Sequence, residues 1–353
     1  MTCATLDLDP SRGRTVGSMA RQQMSARQVN LLLEVAVVSA FATGLTSWAV
    51  GTGWSRWWTF AHATSGLTLL VLARQKVRRS VRPGMRRRRW TRWLSVAFGL
   101  TVFMVAVFGI AHSTGLWVGV GYWSALWSHF FFAFAAVPLF VWHLVSRPAR
   151  PRRTDVDRRL VLGGGLAIGS AALLAAGVEV VSRATGLGGA GRRFTGSHEV
   201  GSFDPDRMPA VQWIDDRAPA IPDEGWPLTI AGDAVEIDEL SAISHPLVAT
   251  LDCTGGWWSD QSWDAVALSE LVDTTKSSIR VTSSTGYSRL FPVSDADHVY
   301  LAVGYGGRPL RRGHGAPVRL VAPGRRGPWW VKWVVSVEPD DTPWWWQLPF
   351  PAT

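Results

Sequence analysis

The reading of this chain turns on residues 251–273, "LDCTGGWWSDQSWDAVALSELVD", which set a cysteine among glycines and tryptophans, well past a series of membrane-length apolar segments. The sequence has only two cysteines, and the other, Cys3, lies in a polar N-terminal tail. Neither a disulfide framework nor a CxxC metal motif is therefore on offer, and Cys253 has to be explained alone.

Working back toward the N-terminus, apolar runs of the ~18–25 residues that span a bilayer fall at 30–50, 57–73, 93–112, 121–145 and 160–182. Five membrane helices are expected. The net charge of +9 and a pI near 10.4 would suit nucleic acid if the charge were spread over a folded surface, but it sits in loops. The loop from Arg74 to Arg92 carries ten basic residues and no acidic one, and that from Arg147 to Arg159 carries six arginines against two aspartates. The positive-inside rule places the N-terminus and both basic loops in the cytoplasm and everything after the fifth helix outside. From Arg183 onward fifteen basic side chains face twenty-one acidic ones, so the basic pI reports topology and excludes nucleic acid as the expected partner. Tryptophans at the span ends, among them Trp54, Trp57, Trp58, Trp93 and Trp123, fit interfacial belts and a lipid partner.

The organisation read from these runs is a cytoplasmic tail (1–29), a transmembrane bundle (30–145), a basic loop with a fifth helix and linker (146–190), and an extracytoplasmic domain (191–353). The fifth run begins "DRRLVLGGGLAIGSAALLAAG". Its paired Arg158 and Arg159 are similar to a twin-arginine export signal lying inside the chain. Two further positive-inside arginines are the alternative reading.

Histidines within a bilayer are functional suspects because ligating groups are costly there. Four are present: His62, His112, His129 and His143. On antiparallel spans, His62 and His129 lie at depths differing by only ~5 Å at 1.5 Å per residue, so they can act as axial ligands of one b-type haem. His129 and His143 are fourteen residues apart, which puts them on one helix face ~21 Å apart. Spans one to four resemble the four-helix b-type cytochromes that stack two haems. The matching histidine on span two would fall near Lys76 and is absent, which leaves an inner haem on His143 open. His112 can be a substitute ligand, a propionate partner or an interfacial residue. The alternative for all four is helix packing through hydrogen bonds.

From about Arg192 the pattern changes to short β-like runs between Gly, Pro and Asp turns, including "LVATLDC", "SIRVTSS", "VYLAVGYGG" and "WWVKWVVSVE", with "SWDAVALSELVD" as a helix-like segment. An α+β domain rich in β is expected. The segments from 194 to 338 resemble the molybdopterin-binding domain of the sulfite oxidase superfamily, most closely the catalytic subunit of periplasmic protein-methionine-sulfoxide reductases. Three collinear blocks carry the likeness: "FTGSHEV", the Cys253 segment with Trp263, Leu268 and Leu271, and "GYGGRPLRRGHGAPVRLVAPGRRGPWWVKWVVSV".

The resemblance implies that the Cys253 thiolate ligates molybdenum, as suits a soft sulfur on a thiophilic metal. It carries cofactor contacts onto Thr195, His198, Glu199, His314, Arg319, Trp330, Val331 and Lys332, with Ser283 as a further candidate. Arg319 and Lys332 are then the cationic partners of the cofactor's phosphate. It implies a molybdenum-cofactor oxidoreductase fused to a haem bundle, passing electrons between quinol and an oxidised small-molecule or protein-bound substrate such as a sulfoxide. Sulfite oxidases carry arginines just after the cysteine, and "CTGGWWSDQ" has none. The alternatives are the opposite, sulfite-oxidising direction, a haem-free anchored molybdoenzyme, and a cofactor-less binding module.

Overall fold

The structure is a computed structural model and describes residues 23–85, 91–117, 123–147, 151–212, 216–222 and 225–350. The N-terminal tail through residue 22 and the centre of the first basic loop lie outside the described residues. The chain divides into two compact units, Met1–Thr43 with Phe60–Leu187, and Gly44–Thr59 with Gly188–Thr353.

The helices are α1 (Ala26–Ala49), α2 (Ser55–Lys76), α3 (Thr91–Thr114), α4 (Ala125–Ser146) and α5 (Arg158–Thr185). Four of them, α1, α3, α4 and α5, are long and apolar enough to cross a membrane. The remaining expected span, the second at 57–73, does fold as a helix, but α2 is less apolar than the rest. Thr59, His62, Thr64, Ser65 and Thr68 interrupt it and Arg56, Arg74 and Lys76 flank it, so the count by length and composition is four rather than five. Large side chains on the qualifying helices point outward, Val35, Leu100, Phe131 and Leu173 all being exposed, which is the pattern of a surface solvated by lipid rather than water.

Helix ends follow local chemistry. The Ser124 hydroxyl accepts the Trp127 N–H to cap α4, and Asp157 accepts the N–H groups of Arg159 and Leu160 to cap α5, each satisfying amides that a first turn leaves orphaned. The small residues of α5 have a packing reason. A Cβ on Gly163 would lie 2.8 Å from Met24 Cγ, and Ala167 packs with Met24, Val29 and Leu72 in one small core. Helices α3 and α4 are joined by stacked Phe108 and Phe132, with centroids 5.5 Å apart.

The second unit is built on two sheets. One has the path β1 (His198–Glu199), β5 (Trp257–Ala267), β8 (Tyr300–Tyr305), β10 (Arg319–Val321), with β4 (His245–Asp252) on β5 and β9 (Arg308–Pro309) on β8; the other runs β3 (Asp233–Ala234), β2 (Thr229–Ile230), β11 (Val334–Asp340), β6 (Ser278–Ser283), β7 (Ser288–Pro292). Helices α6 (Ile237–Ile243) and α7 (Leu268–Leu271) are short. The core contains Trp263, Leu301, Leu320, Val318, Trp333 and Val337, all essentially without exposure.

One expectation is corrected here. "SWDAVALSELVD" is not mainly helical: its first half is the end of β5, and only Leu268–Leu271 form a helical turn. The buried face of β5 alternates through Trp257, Ser259, Gln261, Trp263 and Ala265. Two polar residues on that inward face hide the period-two pattern that marks a strand.

Candidate active site

Cys253 sits in the turn between β4 and β5, where the chain doubles back in four residues. Its N–H donates to the Trp257 carbonyl at 2.8 Å, and its carbonyl accepts the Gly256 N–H at 3.1 Å. Gly256 has φ of +88°, a conformation only glycine adopts without strain. The Gly255 N–H points at Cys253 Sγ, 3.3 Å away. Burial pushes the Cys253 thiol up, while that N–H and the cations of Arg326 and Lys332 pull it back toward thiolate.

The thiol lines a cleft open to solvent. Its wall brings together Cys253, Ser283, His314, Arg319, Trp330 and Lys332, six residues singled out in the sequence and separated by up to 79 positions there. Arg319 is buried, and its Nη1 donates to the His314 carbonyl at 2.8 Å. The guanidinium lies between the rings of Trp263 and Trp330, 5.0 and 5.6 Å from their centroids. Burial depresses it to about 10. Lys332 donates from Nζ to the carbonyls of Val211 and Gly313, at 2.9 and 2.6 Å; burial and then Arg319 bring it down to about 7.

Neither cation has a carboxylate within ion-pair distance among the described residues. The two chain segments that carry them close on Gly315, where a Cβ would lie 2.9 Å from Arg319 Cβ and 3.1 Å from Lys332 Cβ.

His314 lines the cleft with both ring nitrogens already engaged. Nε2 faces the Met208 carbonyl at 3.1 Å and Nδ1 meets the Tyr305 hydroxyl at 2.7 Å. A carbonyl only accepts, so Nε2 carries the proton and Nδ1 accepts from tyrosine. Burial lowers His314 to about 4, which keeps it in this neutral form.

The remaining expected contacts lie elsewhere. Thr195 donates to Asp252 Oδ2 at 2.6 Å, His198 pairs with Trp257 on the sheet, and Glu199 accepts the Ser202 N–H at its exposed end of β1. None of the three lines the cleft. Val331 is buried in the core, and its carbonyl accepts the Leu320 N–H.

Behind the cysteine is a buried network that sequence reasoning missed. Arg326 Nη1 donates to Asp252 Oδ1 at 2.8 Å and its Nη2 to the Cys253 carbonyl at 3.2 Å, while Ser197 donates to Asp252 Oδ1 at 2.7 Å. The signal was present only as an aspartate next to the cysteine and a distant "GRRG". Of Trp257 and Trp258, which the sequence offers equally as pocket-mouth or core residues, Trp257 lines the cleft and Trp258 does not, and Tyr287, also on the cleft wall, was missed because aromatic residues abound in this chain.

In the first unit, His62 and His129 do come together, with ring centroids 5.7 Å apart. His62 Nδ1 meets the Ala40 carbonyl and His129 Nδ1 the Val105 carbonyl, each at 2.8 Å. These bonds assign the proton to Nδ1 and leave Nε2 of both rings as the basic nitrogen. His143 packs on Phe98 at 5.7 Å, and His112 lies in the last turn of α3.

The donor set around Cys253 fits a thiolate-ligated metal whose organic part bears an anionic phosphate. It offers one soft sulfur, a buried arginine and a half-buried lysine lacking carboxylate partners among the described residues, and a glycine approach at 313–315. Residues 217–345 match the family model described as the oxidoreductase molybdopterin binding domain. No curated protein matches the chain. Among solved structures, the chain is similar to the sulfane dehydrogenase SoxCD from Paracoccus pantotrophus, at 25% identity and a TM-score of 0.29, covering 31% of this chain and 35% of that one. It thus spans about a third of that relative's length. The cleft and the family match fall on largely the same stretch of chain, and residues 217–345 are similar to an oxidoreductase molybdopterin-binding domain.

Proposed function

We propose that this protein is a membrane-anchored reductase that removes an oxygen atom from an oxidised substrate such as a sulfoxide, drawing electrons from membrane quinol. The observation that carries the reading is the cleft itself, with the Cys253 thiol on one wall and the unpaired cations of Arg319 and Lys332 on another. Cys253 would hold the molybdenum, and Arg319 and Lys332 the phosphate of its pterin. The bound cofactor supplies two-electron oxygen-atom transfer.

The protein's own part is positional. Gly255 N–H and the Arg326 guanidinium favour the thiolate, while the Trp263 and Trp330 rings keep water from Arg319. The overall reaction balances as quinol plus sulfoxide giving quinone, sulfide and water, so both protons consumed at the sulfoxide are matched by the two released from quinol. The stretch after Cys253 carries no basic side chain, which favours a neutral oxide over an anion such as sulfite.

A b-type haem held by His62 and His129 is the electron carrier in this reading. Their rings lie 5.7 Å apart between centroids and both keep Nε2 as the basic nitrogen, the atom by which each would hold a haem iron. Helix α2 is read as a fifth crossing. Its polar groups find partners, His62 at Ala40 and Thr59 with Ser47 at 2.6 Å, as polar residues in a bilayer do. The N-terminus is then cytoplasmic and the catalytic domain extracytoplasmic.

The test is metal and haem analysis of the full chain beside Cys253→Ala. Near-stoichiometric molybdenum with a b-type spectrum, and a variant that keeps its haem but loses oxygen transfer, is the expected result. Wild-type protein without molybdenum from a cofactor-competent host overturns the enzymatic reading; molybdenum without haem reduces the bundle to an anchor.

A further inference from the structure

Trp257 carries a buried polar group without a partner. Its ring is 8% exposed, and its Nε1 makes no hydrogen bond among the described residues. An indole N–H can only donate, and leaving a buried donor unpaired costs about 1–3 kcal/mol, so each such group in a native structure calls for an explanation. Trp258 Nε1 is also buried and unpaired, so the orphaned donor alone decides nothing. The difference is position: Trp257 lines the cleft with Cys253, and Trp258 does not.

Gly255 measures how close the two groups lie. A Cβ placed on it would be 3.5 Å from Cys253 Sγ and 3.6 Å from both Cδ1 and Nε1 of Trp257. Sulfur and indole N–H therefore flank the same point beside Gly255, where a methyl group would touch both, and both residues line the cleft. An acceptor atom that enters the cleft beside the sulfur would give the donor its missing partner.

We propose that the Trp257 indole N–H is the specificity-determining donor that receives the oxygen atom of a neutral S=O or N–O substrate next to the Cys253 centre. This inference rests on the reductase reading above. The oxide presents an acceptor oxygen to the N–H. The sulfide or amine left after reduction has lost that oxygen, so Trp257 holds the oxidised substrate and lets the reduced product go. Sites built around one hydrogen bond discriminate in this way because the analogue lacking it leaves a buried group unpaired.

The experiment uses full-length holoprotein with a reduced viologen dye as donor, which bypasses quinol and haem, and dimethyl sulfoxide and trimethylamine N-oxide as substrates. Trp257→Phe keeps the ring and removes the donor; it is expected to lower kcat/KM for both oxides 10- to 100-fold, about 1.4–2.7 kcal/mol, with molybdenum content unchanged. Gly255→Ala is the second variant, since its methyl sits at ordinary contact distance from both neighbours, and it is expected to lower kcat/KM by occupying that point. Trp258→Phe is expected to match wild type.

A readout independent of turnover is the ultraviolet resonance Raman difference on adding dimethyl sulfoxide to oxidised protein without donor. A shift in the indole N–H band is expected in wild type and not in Trp257→Phe. Active wild type matched within twofold by both Trp257→Phe and Gly255→Ala overturns this inference alone. Wild type that turns over neither oxide overturns the reductase reading and this inference with it.

Discussion

Changing Asp252 to Asn removes the negative member of a pair whose side chains are 5% and 3% exposed, so solvent screens little of the effect. Arg326 would keep its bond to the Cys253 carbonyl but lose its carboxylate. The Thr195 and Ser197 hydroxyls, which both donate to that carboxylate, would meet an amide with a single acceptor oxygen. Breaking a buried ion pair from one side costs about 3–5 kcal/mol. For a folding unit of ~150–250 residues each kcal/mol moves Tm by about 2–4 °C, so a loss of roughly 6–20 °C is expected for the catalytic domain. Differential scanning calorimetry of the full chain in detergent at one scan rate measures it. The double change Asp252→Leu with Arg326→Met, which removes both members of the pair and leaves only the partly exposed Arg193 without its carboxylate, is expected to recover a good part of the loss. A shift under about 3 °C in Asp252→Asn would refute the reasoning, since the pair would then contribute no more than a surface contact.

Other outcomes follow from the same geometry. Burial and the neighbouring Arg319 bring the folded Lys332 down to about 7, from an ordinary 10.5. The unfolded chain therefore binds more protons between those values, and the stability of cofactor-free protein rises with pH across that window. Urea midpoints from pH 7 to 10 are expected to show the rise in wild type and a flatter profile in Lys332→Met; a wild-type midpoint that falls with pH contradicts the assignment. His62→Ala and His129→Ala are each expected to abolish the b-type difference spectrum, whereas His143→Ala keeps it, and a spectrum surviving the first two changes would remove those residues as ligands.

The parts of this molecule that could be read in advance are those in which one residue type speaks for itself. A cysteine with no possible disulfide partner nearby, arginines and a lysine in a collinear block, and histidines at matched depth are all visible in a linear string. The cleft wall and the His62–His129 pairing follow from them. The rest depends on which way a side chain faces. Thr195 stands in a block matched to the cofactor, yet its hydroxyl turns to Asp252; Val331 stands in the same block as Lys332, but its side chain is buried in the core. The end of β5 reads as helix because its apolar run "AVA" continues without a break into the helical turn at Leu268–Leu271. The orphaned Trp257 N–H has no linear signature, since only the positions of every neighbouring acceptor reveal it.

The enclosed cations of Arg319 and Lys332 also bear on the life of the protein in the cell. Folding has to bring two positive charges close together without a carboxylate partner, so an anion that binds them returns much of what their burial costs. Stability then grows with the free concentration of that anion, in proportion to the logarithm of its ratio to the dissociation constant. Chains made while the cofactor is scarce would spend more of their time open and be cleared by proteases. In the molybdenum-cofactor reading proposed above, the amount of folded protein would follow the supply of that cofactor.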